Sequence, residues 1–249
     1  MQEVSSSSFI QALKGGAQVL QPGPRVLASE LVDDIQRARL IAGMAEAAAE
    51  KGYAATTIAD VVSRAQVSRR TFYEHFDDKD ACFLAAYDAS ADLLMAFVAE
   101  AVEDPDLTWQ ERIAAGVSTY LNTLAHEPAL TRVFLIEVLA AGPPALKRRR
   151  AVHQRFAELV HGLVEAHRDE LPENWSLDSM MAAAIIGAID ELALIAVEDG
   201  RAAELPHLAS TAVHLVQATL AMPQPTGIAT PARLAGDDAA QRANTEGRS

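Results

Sequence analysis

Apolar residues recur at intervals of three and four positions along most of the chain, from residue 32 to residue 222. That spacing places them on one side of an α-helix. No segment of four or more residues has the character of a β-strand. The pattern predicts an all-α chain of about nine helices, over residues 32–51, 58–65, 69–76, 78–103, 109–127, 128–141, 145–168, 177–199 and 206–222.

Several of the predicted helix starts rest on capping signals. Thr57 with Asp60, and Thr108 with Glu111, have the three-residue spacing of a capping box, in which each side chain binds a free backbone N–H of the other residue. Ser68 is a suitable N-cap for the helix that follows it. These capping residues therefore fix where the short helices of the N-terminal part begin.

Both ends of the chain lack an apolar period. Residues 1–30 contain a run of serines and Pro22-Gly23-Pro24, and residues 223–249 are rich in proline, glycine, threonine, aspartate and arginine. We expect both to be flexible tails. Between them the pattern predicts a small N-terminal domain over residues 31–79 and a larger helical domain over residues 80–222.

The composition narrows the function classes. With 249 residues, half of them apolar, the chain can bury a large core, and its net charge of −13 excludes a protein that is basic all over its surface. Any nucleic-acid-binding site would have to be confined to a small part of the surface. The single cysteine, Cys82, allows no intrachain disulfide and leaves two interpretations open, a redox sensor or a buried apolar residue. Without a secretory signal or a continuous apolar run, we expect a cytoplasmic protein that does not enter the membrane.

Residues 58–76 have the pattern of a helix-turn-helix, two short helices joined by three residues. Phe72 and Phe76 are four positions apart and are expected to face inward together. The opposite side of the second helix then carries Arg70 and Glu74. Arginine, threonine, tyrosine and histidine side chains on or beside this face are well suited to contact bases and phosphates.

The segments Gly52-Tyr53-Ala54-Ala55-Thr56-Thr57-Ile58-Ala59-Asp60-Val61-Val62 and Ala65-Gln66-Val67-Ser68-Arg69-Arg70-Thr71-Phe72-Tyr73-Glu74-His75-Phe76-Asp77-Asp78-Lys79 resemble the N-terminal domain of tetracycline-repressor (TetR) family regulators. The resemblance implies a dimer that places two recognition helices in successive major grooves of a palindromic operator. It further implies that a small molecule in the helical body releases the DNA. The DNA-contacting residues implied by the resemblance, together with the capping serine, are Thr57, Ser68, Arg69, Arg70, Thr71, Tyr73, His75 and Lys79.

Two residues depart from the family pattern. Gln66 stands where the turn usually has glycine, and a positive φ there would cost about 1 kcal/mol. Glu74 is an acid on the DNA-facing side, where it either accepts from a cytosine amino group or weakens binding. Residues 25–80 contain eight Lys or Arg against ten Asp or Glu, so we expect little non-specific affinity for DNA.

The larger domain is expected to hold a dimer interface. The segment 177–197 is apolar nearly all round, which indicates burial on two sides. We expect it to form, with the last helix, a four-helix bundle across a two-fold axis. The interface residues expected from the two helices are Ala183, Gly187, Leu208, Ala212, Leu215 and Val216.

A ligand pocket is expected among the helices between residues 78 and 197. Glu137 lies within an apolar run, so its buried carboxylate needs a partner, either a ligand or an arginine or backbone group of the protein. The aromatic candidates are more simply explained as core residues. The pocket candidates are Tyr87, Trp109, Tyr120, Phe134 and Glu137.

No motif of enzyme chemistry is present in the sequence. There is no nucleophile elbow, no phosphate-binding glycine loop and no pair of histidines at metal-ligand spacing, so we expect neither an enzyme nor a cofactor or metal site. The leading interpretation is a ligand-responsive DNA-binding regulator, most simply a repressor. The alternative is a helical small-molecule-binding protein whose DNA binding is weakened or lost.

Overall fold

A computed structural model describes residues 8–15, 26–170 and 177–221. Regular structure in these residues is helical without a strand, which confirms the all-α class. The helices are α1 (Ser8–Gly15), α2 (Val26–Lys51), α3 (Ile58–Ala65), α4 (Arg69–His75), α5 (Lys79–Val102), α6 (Trp109–His126), α7 (Pro128–Thr131), α8 (Val138–Ala140), α9 (Pro143–Ala166), α10 (Ser179–Glu198) and α11 (Ala209–Ala221). A π-helical segment, Arg132–Glu137, joins α7 to α8, and 3₁₀ turns cover Arg168–Glu170 and Ala202–Leu208.

Helices α2, α3 and α4 form a compact head. Phe72 on α4 is fully buried with Leu40 and Met44 of α2. At Gly43 the helices α2 and α3 come so close that an added Cβ would lie 2.9 Å from the Val61 carbonyl oxygen. Gln66 ends α3 at the turn before α4, and its φ of 54° lies in the left-handed region, the conformation whose cost was considered for this position.

The predicted caps are confirmed. Thr57 and Asp60 form a reciprocal capping box at α3, and Thr108 and Glu111 form a second one at α6. Ser68 caps α4 through a bond from the Thr71 backbone N–H at 3.0 Å. Short helices with few interior hydrogen bonds depend most on such caps.

The expected N-terminal tail is wrong for the residues that the structure describes. Helix α1 packs against α2, and Ile10 is buried in the core. Helix α2 also begins at Val26, inside the expected tail. The remaining residues of 1–30 and all of 223–249 lie outside the described residues.

Helices α5 to α11 form the body around one apolar core. Two boundaries differ from the sequence expectation. Helix α10 begins at Ser179 because the Asp178 side chain accepts from the Met181 backbone N–H, at 2.7 Å. Pro206 lies inside a 3₁₀ turn that precedes α11. Cys82 is buried and the pKa of its thiol is raised to about 12 by burial, which favours the unreactive interpretation.

Helices α5 and α10 are each long and apolar enough to cross a membrane by length and composition alone, as core helices of soluble proteins also can be. In α5 the apolar side chains serve the body's own core, with Phe83 and Leu94 buried. In α10 they are divided between that core and an outward face, described below. The length test therefore gives little support to a membrane span.

Candidate nucleic-acid interface and ligand cavity

Helix α4 presents one side to solvent and buries the other. Phe72 is its buried anchor, and Phe76, directly after the helix, packs beside it with ring centroids 5.9 Å apart. Arg69, Arg70 and Tyr73 are exposed on the outer side. The inward-facing phenylalanines therefore hold the polar side chains in the orientation that a recognition helix requires.

Two couples of side chains, each four residues apart, organise this outer side. Arg69 Nη2 donates to the Tyr73 hydroxyl at 3.3 Å, and its guanidinium lies 5.8 Å from the centre of the Tyr73 ring. Arg70 Nε donates to Glu74 Oε1 at 2.9 Å. Both guanidinium groups thus keep free N–H donors toward solvent while their positions are restrained.

The remaining predicted DNA contacts differ in position. Thr57 and Ser68 are exposed at the starts of α3 and α4, but their hydroxyls already serve as caps. Thr71 is half-buried, and its hydroxyl is 2.9 Å from that of Ser68. These three residues border the outer side of α4 rather than projecting from it.

Two of the expected contacts are turned away from the outer side. The His75 side chain is only 5% exposed and faces Asp33 of α2, with Nε2 3.6 Å from a carboxylate oxygen. The expectation that His75 faces the groove is therefore wrong, since it lies on the border of the buried stripe. Lys79 donates to the Tyr53 carbonyl at 3.0 Å and lies over the Tyr53 ring, so its amino group is held at the junction with the body.

Tyr53 is the centre of that junction. Its backbone N–H donates to Glu137 Oε2 of the π-helical segment at 2.6 Å, and its hydroxyl donates to Asp80. Burial, followed by the bond to Asp80, raises the pKa of Tyr53 above its ordinary value of 10. Glu137 is 4% exposed and also accepts from Arg132 Nε at 3.0 Å. The carboxylate predicted as a ligand contact is thus satisfied by the protein, the alternative that the sequence left open.

The body contains an apolar cavity between α5, α6, the π-helical segment, α9, α10 and α11. Its volume is about 70 Å³, which is the space of several water molecules. Almost all of its wall is aliphatic or aromatic, as expected for a site that holds an apolar chain. The lining residues are Val98, Val102, Ile113, Gly116, Val117, Tyr120, Phe134, His153, Phe156, Leu159, Val160, Leu163, Ile185, Ile186, Ile189, Asp190 and Val216.

A buried polar cluster forms part of the cavity wall. Asp190 accepts from the Tyr120 hydroxyl, from Arg149 Nη2 at 2.9 Å and from His153 Nε2, which is 2.7 Å away. Burial, followed by the nearby Asp190 charge, raises the pKa of Tyr120 well above its ordinary value. This cluster gives the otherwise apolar cavity one polar point at which a ligand could be oriented.

Two of the five residues predicted for a ligand pocket lie in the cavity wall. Tyr120 and Phe134 line the cavity. Tyr87 lies behind the wall, stacked on Phe134 with ring centroids 5.5 Å apart, and it is fully buried. Trp109 is buried but does not line the cavity, and Glu137 belongs to the junction described above. The spacing of apolar residues identifies the buried faces of the helices, but it does not show which of these faces border a cavity.

The outward face of α10 is apolar and open. It carries Met180, Ala184, Gly187 and Ile195, and Met180 is 77% exposed. Nothing lies within 4 Å of a Cβ built at Gly187, and the neighbouring Ala183 is half-buried. The sequence prediction of an unpartnered face therefore fits this side of the helix.

The predicted interface residues of the last helix do not share that exposure. Ala212 and Val216 are buried within the protein, and Val216 lines the cavity, so the apolar stripe read as an interface is the inner face. Leu208 and Leu215 are half-buried. No group of three or more potential metal ligands occurs among the described residues.

The head matches a known family. Residues 40–86 match the profile described as "Bacterial regulatory proteins, tetR family". The head is therefore a TetR-type DNA-binding domain. Among curated relatives, the HTH-type transcriptional activator FasR of Mycolicibacterium smegmatis is 23% identical to this chain over 146 residues. That match covers 56% of this chain and 66% of FasR, slightly less than two thirds of its length.

Solved structures show that the same fold continues through the body. The fatty acid degradation regulator FadR from Bacillus halodurans is 16% identical, with a TM-score of 0.64 over 79% of this chain and 96% of FadR. FadR from Bacillus subtilis, solved in complex with stearoyl-CoA, is 20% identical, with a TM-score of 0.61 over 72% of this chain and 96% of that one. The body of this chain thus shares its fold with these two regulators.

Proposed function

We propose that this chain is a TetR-family regulator that binds a palindromic operator as a homodimer, and that a small molecule in its body releases the DNA. The observation that carries the proposal is the outer side of α4, where Arg69, Arg70 and Tyr73 project from a buried anchor. Arginine pairs with guanine through two N–H donors, and tyrosine reaches phosphates. Release from the operator makes the protein a repressor in the simplest arrangement.

The outward face of α10 supports the dimer. Apart from the exposed Glu191, this face is apolar, and its glycine at position 187 allows a second helix to approach closely. Burying the face would remove the large exposed Met180 from water. If the two-fold axis through this face runs from body to head, it brings two heads to one side of the assembly. Two heads related in this way require an operator with the same symmetry.

The cavity supports an apolar ligand. A hydrocarbon group is compatible with its largely aliphatic and aromatic wall, and the Asp190 cluster offers one polar contact. Because FadR of Bacillus subtilis shares the fold and was solved with stearoyl-CoA, we propose a long-chain acyl thioester as the ligand class. A protein that binds DNA and such a metabolite would act in the cytoplasm.

The test begins with selection of binding sites from a random duplex library by the purified protein at physiological salt. An enriched palindrome supports operator binding, and Arg70→Ala should then relax the preference at one position of each half-site by about 1–3 kcal/mol. A folded dimer that enriches no sequence would refute the operator and leave a small-molecule-binding protein.

The ligand is tested on that operator by fluorescence anisotropy with stearoyl-CoA, with stearate and coenzyme A alone as comparisons. Val117→Phe, which fills the cavity from α6, should abolish release and keep operator binding. Leu139→Phe introduces the same ring at an exposed site outside the cavity and should respond as wild type does. Release that persists in Val117→Phe would place the ligand elsewhere.

A further inference from the structure

The Arg70–Glu74 couple is the most exposed polar feature on the outer side of α4. The side chains are 89% and 52% exposed, and only one oxygen of Glu74 is bonded, to Arg70 Nε at 2.9 Å. Its other oxygen accepts no hydrogen bond from the described residues, and the terminal nitrogens of Arg70 likewise have no acceptor among them. Arg70 thus offers two donor nitrogens, Nη1 and Nη2, and Glu74 offers one acceptor oxygen, Oε2, side by side on the solvent-exposed surface of α4.

Helix stability does not explain this placement. Arg70 lies in the first turn of α4, where the helix dipole disfavours a cation, and Glu74 lies in the last turn, where it disfavours an anion. The order is also unfavourable, because an acid four residues before a base stabilises a helix better than the reverse. We therefore look for the role of Arg70 and Glu74 in the hydrogen bonds that their unpaired groups can form with a partner molecule.

Those groups complement one base pair. In the major groove, guanine presents two acceptors, O6 and N7, and its partner cytosine presents the N4 amino donor. We propose that Arg70 and Glu74 together read one G·C pair in each half-site, Arg70 binding the guanine and Glu74 the cytosine amino group. This inference rests on the proposed function, because it requires the head to bind duplex DNA.

Glu74 would act mainly by rejecting other bases. Thymine presents an acceptor and a methyl group at that position, and adenine places its N7 acceptor beside its amino donor. A carboxylate that loses water against an acceptor is destabilised, and the surrounding phosphates add repulsion. Glu74 is therefore a specificity-determining residue that weakens binding to mismatched sites more than it strengthens binding to the matched one.

The experiment uses the operator found by wild-type selection and marks the G·C pair at which Arg70→Ala loses discrimination. Duplexes carrying N4-methylcytosine at that pair block the groove-facing amino hydrogen, and duplexes carrying 7-deazaguanine remove the N7 acceptor. Anisotropy gives the Kd of wild type, Glu74→Ala and Asp77→Asn for each duplex. Asp77 is an exposed acid just beyond α4 and controls for the loss of one negative charge.

N4-methylcytosine should weaken wild-type binding about tenfold and leave Glu74→Ala unaffected. Glu74→Ala should also bind operators mismatched at this pair more tightly than wild type. Asp77→Asn should change its affinity for all duplexes alike and keep the tenfold loss. An N4-methylcytosine penalty that is absent in wild type, or that persists in Glu74→Ala, overturns the inference while the operator stands. Failure of wild type to select any operator refutes the proposed function itself.

Discussion

The bond between Glu137 and Tyr53 gives the sharpest stability prediction. Glu137→Ala leaves the buried Tyr53 N–H without an acceptor, which costs about 1–3 kcal/mol. The change also removes one buried methylene group, Cγ, worth about 0.8 kcal/mol. We expect a total loss of about 3 kcal/mol in the free energy of unfolding, or a fall in Tm of about 6–12 °C for a chain of this length.

Urea and thermal unfolding measure the change, with two comparison variants. Glu158→Ala on the exposed side of α9 should alter stability by less than about 0.5 kcal/mol. Arg132→Ala removes the half-exposed partner of Glu137 and keeps the bond to Tyr53, so it should cost at most about 1 kcal/mol. Equal losses for Arg132→Ala and Glu137→Ala would refute the reasoning, since the ion pair would then carry the effect.

Three further predictions concern the head. Gln66→Gly should raise the free energy of unfolding in urea by about 1 kcal/mol, because glycine adopts a φ of 54° without strain. If the stability does not rise, the hydrogen bond from Arg39 to Gln66 compensates for the strain. Gly43→Ala should abolish operator binding and lower Tm, because the added Cβ would collide with backbone atoms of α3. A variant as stable as wild type would show that α2 and α3 do not pack so closely. Bonds to Lys51 and Thr57 lower the pKa of Asp60, so its contribution is present above the unfolded pKa of about 3.8 and is lost as pH falls below it. Asp60→Asn should therefore lose less stability than wild type between pH 5 and pH 3.

Local signals predicted the head well. The capping boxes, the cap at Ser68 and the inward side of Phe72 and Phe76 each depend on residues within four positions of one another. Such interactions are fixed by helix geometry, so spacing alone is enough to recognise them. Gln66 was singled out by the family resemblance instead, because glycine usually stands at that turn position, and its φ of 54° is the positive value considered there.

The cavity and the junction could not be predicted in this way. Tyr53 meets Glu137 across 84 positions, and Tyr120 meets Asp190 across 70. Periodicity shows that a residue lies on an apolar face, but the packing of the helices decides whether that face touches a neighbour or borders a gap. The apolar stripe of α11 shows the difference, since Ala212 and Val216 were expected at an interface and instead face the core.

The π-helical segment is where the ligand proposal and the DNA proposal meet physically. Phe134 forms part of the cavity wall, and Glu137, three residues later on the same segment, holds the Tyr53 backbone. A ligand changes DNA affinity only by the difference in its binding free energy between two conformations, typically about 1–3 kcal/mol. Breaking the Glu137–Tyr53 bond in one conformation involves a free energy of the same size. Displacement of Phe134 by a ligand would therefore act on the head through a contact whose free energy is of the required size, while the bonds of Tyr53 to Asp80 and Lys79 would still join head and body.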